Sequence, residues 1–598
     1  MIVIQITEKE ISEFRKILEA YKAGKARTEQ RIIQSENWWK LRNEPADRDE
    51  GFKSISGWLH NVIVSKHADA MAAYPEPNIL PREQDDRAEA AVLTAIIPCI
   101  LEQNHFESTY NDAMWQKLKT GTALYKVSWD AGKLHGLGDI SIERINLLNL
   151  YWEPGITDIQ KSRYVFHTEL IDKEVLVERY PQLKNKLGPN SFVSARFLYD
   201  DRVDTENKAT VIDCYYKKHG RLHYCRFVGN ELLYASENEG EVGNRGLYDH
   251  GLYPFVFDPL YPIEGSPCGY GFVDICRNPQ TEIDLLKTSF VKNAAVGATP
   301  RYFSRIDGAV NEEEFLDLKK PIVHVNGNLG ADSLRPIDCK SLDGIYVSLL
   351  DRTIQELRET SGNTETSTGN ISSGVTAASA IAALQEASGK GSRDSNMGSY
   401  RAYSQIIELC IELIRQFYDV PRQFRILGSQ GAEQFISYSN FKLRPQHQGS
   451  AFGLDMGYRL PVFDIKISAQ KKNVYSKLSQ NELALQLYRL GFFEPGRIDA
   501  ALMCLEMMDF EGREQMMQKL SLNGTVYQKL NHYMQLSLAL AQYARPEMVE
   551  GLSADILKTM GGSMPVLARS EKIFTEETEH PVVENARERS REAAQVVK

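Results

Sequence analysis

LYPIEGSPCGYGFVDICRNPQTEIDLLKTSFVKNAAV, residues 260–296, changes character part-way along. Its opening, LYPIEGSPCGYGF, holds five glycines or prolines and has the composition of a loop. From about Asn278 to Val296 the residues Ile283, Leu286, Phe290 and Ala294 return at helical spacing, which predicts an amphipathic helix. About 18 residues at 1.5 Å each make it roughly 27 Å long. A second helix is predicted from Leu342 to about Thr360, where Tyr346, Leu350, Ile354 and Leu357 follow one another at spacings of 4, 4 and 3. Between the two, residues 298–340 form a compact insertion, with RYFSRI, IVHVNG and SLRPID as short strands around a helical NEEEFLDL.

Toward the N-terminus, ALYKVSWD, GDISIERI, YVFHTELI, TVIDCYYKK, LHYCRFV and ELLYAS are short β-branched or aromatic runs separated by turn residues, which predicts a β-rich lobe from about 121 to 260. A helical DKEVLVERYPQL and a polar stretch near Asp200 to Lys208 interrupt it. Ahead of the lobe the chain reads as helical. One long or broken helix runs from about Glu8 to Leu41 through Ile11, Phe14, Ile17, Leu18, Ile32 and Ile33, and ends at Trp38 and Trp39. A second covers about Ile55 to Ala73, a third about Asp86 to Gln103, and a short one passes through Tyr110, Met114 and Leu118 to Gly121. The prolines at 75, 77 and 81 in YPEPNILP are expected to stop the second helix.

Toward the C-terminus, residues 361–376 are almost entirely Ser, Thr, Gly and Asn, cannot bury a face, and read as a loop or linker. Ala377 to Asp419 is helix-prone, Ala-rich first and then amphipathic through Ile406, Ile407, Cys410, Ile411 and Ile414; Gly389, Gly391 and Gly398 are expected to kink or break it. QFRILG, EQFISY and VFDIKIS supply a short β region in 421–469. From Lys472 the chain is helical again, with Ser479 and Glu482 as a capping box, Gly491 as a stop, and Met503, Met507, Met508, Met516 and Met517 as flexible packing. From Glu576 onward Glu alternates with Arg in a solvated helix or frayed tail. The fold class is α+β, predominantly helical.

At 598 residues the chain is about four times a typical ~150-residue domain, so several cores or one multi-lobed subunit are expected. Its 42% hydrophobic and 25% charged content excludes wholesale disorder. Lys+Arg of 70 against Asp+Glu of 80 gives a net charge of −10, the opposite of the footprint of a tight nucleic-acid binder. The longest apolar stretch, AAVLTAIIPCIL ending at Leu101, falls short of the roughly 20 residues of a membrane helix, so no membrane association is expected. The first residues lack the pattern of a signal peptide, and a cytoplasmic location is expected.

Enzyme signatures are missing. No GxxxxGK[ST] occurs, and SGKGS at 388–392 lacks the first glycine; GxSxG, HExxH and an EF-hand loop are missing too, and GYG at 269–271 is too short for a dinucleotide fingerprint. The eight cysteines contain no CxxC pair. Cys214, His219, His223 and Cys225 in CYYKKHGRLHYC resemble a metal cluster, but Gly220 sits where a hairpin turn would, and cross-strand packing explains all four. No metal and no cofactor are therefore expected. Lys287, Lys292, Arg352 and Arg358 on the two flanking helices either face phosphates or belong to a solvated helix face. His60 and His67, seven apart, share a helix face as ligands or as ordinary packing residues.

The order of these elements resembles a tailed-bacteriophage portal protein. The resemblance is carried by AYPEPNILPRE at 73–83, GTALYKVSWD at 121–130, YWEPGITDIQKSRYVFH at 151–167, CGYGFVDICRNPQTEIDLL at 268–286, ETSGNTETSTGNISSGVTAASAIAALQE at 359–386 and FDIKISAQKKNVYSKLSQNELALQL at 463–487. It implies a ring, usually of twelve subunits, at one capsid vertex of the virion, assembled in the host bacterial cytoplasm, with a channel for packaging and ejecting double-stranded DNA. On this pattern residues 1–270 and 377–471 are wing, 271–297 and 341–360 stem helices, 298–340 clip, 361–376 tunnel loop and 472–598 crown. The resemblance further places Asn363, Thr364, Glu365, Thr366, Ser367, Thr368, Asn370, Ser372 and Ser373 against the DNA, Lys287, Lys292, Arg352 and Arg358 in the stem, and Arg305, Glu312, Glu313, Glu314, Lys319 and Lys320 where the motor or adaptors dock. The implied partners are further copies of the chain, the terminase large subunit, scaffold and major capsid proteins, and head-completion proteins; no catalysis is implied.

Charge agrees with such a role. A channel through which a polyanion slides should neutralise few phosphates, because each released counterion set adds sequence-independent affinity. Glu365 is the one charge in 361–376. Twelve copies at −10 each repel one another, so apolar contacts must close a ring, and assembly should weaken at low salt. Two rival readings are another ring or tail-connector component without the helix–insertion–helix unit, and a nucleic-acid enzyme such as a packaging motor, against which the missing Walker A motif speaks.

Overall fold

Backbone N–H of Thr7 donates to Glu10 Oε2 at 2.9 Å, capping α1 (Glu8–Trp39), which runs unbroken through the stretch where the sequence left one or two helices open. The computed structural model describes residues 6–42, 54–184, 186–187, 207–298, 343–363, 390–427, 433–447 and 457–469, with shorter stretches within 302–336, 450–455 and 481–537. After α1 come α2 (Trp58–Met71), β1 (Pro75–Pro81), α3 (Arg87–Gln103) and α4 (Phe106–Thr120). The expected β-rich lobe follows: β2 (Thr122–Asp130), β3 (Asp139–Arg144), β4 (Leu150–Trp152), β5 (Tyr164–Asp172), α5 (Lys173–Arg179), β6 (Lys208–Lys218), β7 (Arg221–Val228), β8 (Glu231–Ala235), α6 (Gly240–Arg245) and β9 (Phe255–Pro259). β10 (Tyr261–Pro262) and β11 (Gly269–Tyr270) then pair antiparallel and lead into α7 (Phe272–Ala298).

The lobe holds two antiparallel sheets, one in the order β3-β2-β9 and one in the order β4-β5-β6-β7-β8. α1 covers one face of the larger sheet, where Ile11, Phe14, Leu18 and Tyr21 meet Phe166, Ile212, Cys214, Cys225 and Phe227. Buried Lys25 ties α1 further, donating to the carbonyls of Leu147 and Leu150 at 2.5 and 2.6 Å. On the other face Asp213 takes Arg226 Nε and Nη2 at 2.6 and 3.1 Å and the Tyr224 hydroxyl at 2.7 Å. Burial works to raise the Asp213 carboxyl, and Arg226, His167 and Lys126 together hold the group well below its ordinary range.

Past α7, β12 (Tyr302–Ser304), α8 (Glu312–Leu316) and β13 (Leu334–Pro336) fall inside the expected insertion, and β12 pairs with β13 antiparallel. α9 (Gly344–Ser361) and α10 (Lys390–Phe417) follow. The glycines were expected to kink or break α10, and the helix instead continues through Gly391 and Gly398; Gly389 lies outside the described residues. The physical reason is packing: Tyr403, Ile406, Ile407, Cys410, Leu413 and Ile414 are buried in the main core with α3, α4 and β2, which outweighs about 1 kcal/mol per glycine. One buried ion pair joins three elements there. Lys117 Nζ of α4 reaches Asp258 Oδ1 of β9 and Ser399 Oγ of α10, both at 2.7 Å.

The final described elements are β14 (Arg422–Leu427), which pairs with β15 (Glu433–Tyr438), the short β16 (Gln446–His447), β17 (Ser450–Ala451), β18 (Leu454–Asp455) and β19 (Tyr458–Arg459), then β20 (Phe463–Ala469) and α11 (Ile498–Met507). β20 pairs with β1, register Pro75↔Ala469 to Pro81↔Phe463. The sequence reading placed only a helix stop at YPEPNILP, and the strand is a correction. Pro75, Pro77 and Pro81 share one parity, so none owes a hydrogen bond to β20. Ile79, of the same parity, donates its N–H to Thr94 Oγ1 of α3 at 3.1 Å, which confirms that these positions face away from the ladder. Ser479, Glu482, Gly491, Met508, Met516, Met517 and everything from Glu576 lie outside the described residues. No described helix is long and apolar enough to cross a membrane.

Candidate channel and ring-contact surfaces

α7 begins six residues before the expected Asn278. Pro279 sits inside it, and at its start Asp274 of the first turn reaches back, its Oδ2 accepting from Gly271 N–H at 3.0 Å. At 27 residues it is about 40 Å long. The glycines of GYG serve close approach: a Cβ on Gly269 would stand 2.5 Å from the Tyr261 carbonyl oxygen, and one on Gly271 2.7 Å from that of Lys119.

The strand pair β12–β13 returns the chain beside the end of α7, so α9 packs back along α7 antiparallel. At the root of this hairpin Phe272, Val273, Cys276 and Ile283 of α7 and Leu357 of α9 are buried with Leu59, Val62 and Ile63 of α2. Polar groups lock the same place. Gln280 Oε1 accepts the Leu59 N–H at 2.9 Å and Asp284 Oδ1 accepts the Ser56 N–H at 2.8 Å, so α7 side chains cap the first turn of α2. Toward the tip the apolar face runs out of partners. Ile345 is 71% exposed, and Val291, Val296, Tyr346, Val347 and Leu349 are exposed as well, as are Phe303, Leu316 and Ile322 in the insertion; Leu285, 66% exposed, stands nearer the root beside buried Ile283.

Of the four basic residues singled out, Lys292 and Arg352 are exposed and Lys287 is half-buried, none of them in an ion pair among the described residues. Arg358 instead lies over the Trp58 ring of α2, 5.1 Å from its centroid. In the insertion Glu313 is exposed, and Glu314 Oε2 accepts from the His324 N–H at 2.8 Å. Glu312 opens α8; Arg305, Lys319 and Lys320 lie outside the described residues. So do Thr364, Glu365, Thr366, Ser367, Thr368, Asn370, Ser372 and Ser373.

Asn363, the remaining loop residue, is buried. It follows Gly362, the left-handed cap of α9 at φ 67°, and donates its N–H to the Arg358 carbonyl at 2.9 Å. The two roots of the segment 364–389 meet at α2. Lys66 Nζ reaches the Gly362 carbonyl at 3.4 Å on one side and Ser392 Oγ at 3.3 Å on the other, while Ser392 Oγ donates to Asp69 Oδ2 at 2.8 Å. Burial lowers the Lys66 ammonium, partly offset by Asp69. Sequence reasoning missed Lys66; the available signal was a lysine three and four residues after the apolar Ile63 and Val62 on one helix face.

The cysteine–histidine hairpin is structural. Cys214 and Cys225 are directly opposed on β6 and β7, His223 stacks on Tyr216 at 5.6 Å, and His219 and Gly220 make the turn at φ 52° and 75°. His60 and His67 stack on Trp39 and Trp115 at 4.1 and 3.7 Å, and these two tryptophans touch at 5.3 Å. Among the described residues no group of His, Cys, Asp or Glu side chains is placed to hold a metal ion.

A family model described as "Phage P22-like portal protein" matches residues 68–249 and 261–596. No curated protein matches the chain.

Proposed function

The chain belongs to the phage P22-like portal protein family, a structural and non-enzymatic component of tailed phages, and on that premise we propose that its subunits close into a ring through the α7–α9 hairpin. The observation that carries this reading is the apolar gradient along the hairpin, buried at its root and bare at its tip. A tip of Ile345, Val347, Leu349, Val291 and Val296 is unfavourable in water and is covered when neighbouring hairpins stand side by side. Residues 271–297 and 341–360 are then the stem, 298–340 the clip that docks the terminase motor and later the head-completion proteins, 361–376 the tunnel loop, 1–270 and 377–471 the wing, and 472–598 the crown.

In this reading double-stranded DNA passes along the ring axis at one capsid vertex during packaging and ejection. Lys287, Lys292 and Arg352 offer few cations, and Thr364 to Ser373 weak, replaceable hydrogen bonds, so the DNA slides rather than binds. Asn363 holds the root of the loop rather than facing DNA, as its burial supports.

Mass photometry of the purified chain, with class averages viewed down the particle axis, tests the proposal. Twelve copies of 67.8 kDa give a species of about 814 kDa with a central hole. A chain that stays monomeric or dimeric across salt concentrations, with scaffold and capsid proteins added, rules the ring out.

A further inference from the structure

A cleft of about 910 Å³ opens away from the hairpin, between the end of α2, β1, the C-terminal half of α3 and the start of α4. Its lining carboxylates are Glu76, Glu102 and Glu107, all exposed at the rim, and among the described residues no lysine or arginine lines it. None of the three carboxylates is in an ion pair or side-chain hydrogen bond among the described residues. His105 is the only base among the described lining residues. The inner wall is aromatic: Phe106 lies 5.7 Å from Tyr403, and Tyr74 meets Tyr110 edge-on at 5.3 Å. Pro75, Pro77 and Pro98 complete an apolar floor.

Tyr403 is the second, independent pointer. It lines the cleft, is 1% exposed, and its hydroxyl has no hydrogen-bond partner among the described residues. A buried hydroxyl left unpaired is costly, and a Phe in its place would pack on Phe106 equally well. Burial raises the Tyr74 and Tyr403 phenols, and Glu76 adds to both and Glu107 to that of Tyr74.

We propose that this cleft binds a protein segment that presents a lysine or arginine side chain between apolar residues. The cation meets the three carboxylates at the rim and the π-faces of the wall, and its head group or backbone supplies the missing partner of the Tyr403 hydroxyl. The apolar wall favours such a segment over a bare polyamine, which has charge but little apolar surface to set against Phe106 and the prolines. The site is independent of the proposed ring contact, since none of its residues belongs to the α7–α9 hairpin.

The test uses the full chain and a fluorescein-labelled Phe-Arg-Leu-Arg-Phe amide, followed by fluorescence polarisation. Saturable binding is expected, weakened at least about tenfold in the Glu76→Gln/Glu102→Gln/Glu107→Gln variant and lost when citrulline replaces arginine. Tyr403→Phe is expected to weaken binding while raising the Tm of the free protein, a combination that mere damage to the fold cannot produce. Absent binding, equal binding by the triple variant, or equal binding of the citrulline peptide overturns the proposal. Spermidine displacing the peptide at equal concentration would make the cleft a polyamine site and also overturn it. Lys471 and Lys472 follow closely on Ala469, which pairs with Pro75 at the cleft. A large gain in peptide binding by Lys471→Gln/Lys472→Gln would give the cleft to the chain's own lysines instead.

Discussion

The body of the protein and its α7–α9 hairpin use apolar residues in opposite ways. In the body, α1, α3, α4 and α10 close over the two sheets, and the ion pairs Lys117–Asp258 and Arg226–Asp213 are sealed inside. In the hairpin the same kinds of side chain are buried for the first few turns and then exposed. Cooperative stability therefore belongs to the body, and the hairpin is a rod whose root is folded in and whose tip is bare.

Breaking the body should cost most. Asp258→Ala leaves Lys117 buried without its carboxylate and is expected to lower unfolding free energy by about 3–5 kcal/mol in urea titration. A loss under 1 kcal/mol would mean that the body is not locked by this pair. Next comes the joint between the two regions. Gln280→Ala leaves the Leu59 N–H and the Ser56 carbonyl without partners and is expected to cost about 1–3 kcal/mol, with faster exchange of the first amides of α2 as its local signature.

Acid offers a milder way to loosen the body. Burial lowers the His250 imidazole to about 4, so the fold favours its neutral form. Its contribution is intact above about pH 6.5 and is lost as pH falls from there to about 4, where the unfolded chain takes up the proton first. Asp213, held well below the carboxylate range, keeps its pair through that window. His250→Gln should flatten the Tm-against-pH curve between pH 6.5 and 4, whereas an unchanged slope would assign the acid sensitivity to other groups. The smallest effect on folding belongs to the tip. Ile345→Ser/Val347→Ser should leave unfolding free energy within about 0.5 kcal/mol while abolishing the large species in mass photometry. A large drop in stability would show that the tip is part of the body after all.

The sequence made the β-rich lobe, the hairpin of Cys214 and Cys225 and the two rod helices legible, because period-2 and helical spacings there are not disturbed by special backbone positions. It misled where one residue type carries two meanings. Three prolines mark a breaker and here mark the side of β1 that owes nothing to the ladder. Gly391 and Gly398 suggested a break that the burial of α10 overrides. Lys66 and Gln280 escaped notice because their partners, Gly362 with Ser392 and Leu59 with Ser56, are brought to them only by the tertiary fold.

The β1–β20 ribbon also sets a timetable. Arg82 and Asp464, joined at 2.7 Å across it, are 382 residues apart in the chain. At roughly 5–20 residues per second a ribosome takes about 20 to 75 seconds to make the second after the first. For that interval β1 exists without its strand partner, open along one edge only, and the body cannot close. Refolding from denaturant meets the same long loop with both strands already present, whereas during synthesis the open edge of β1 has no partner of its own chain until β20 is made.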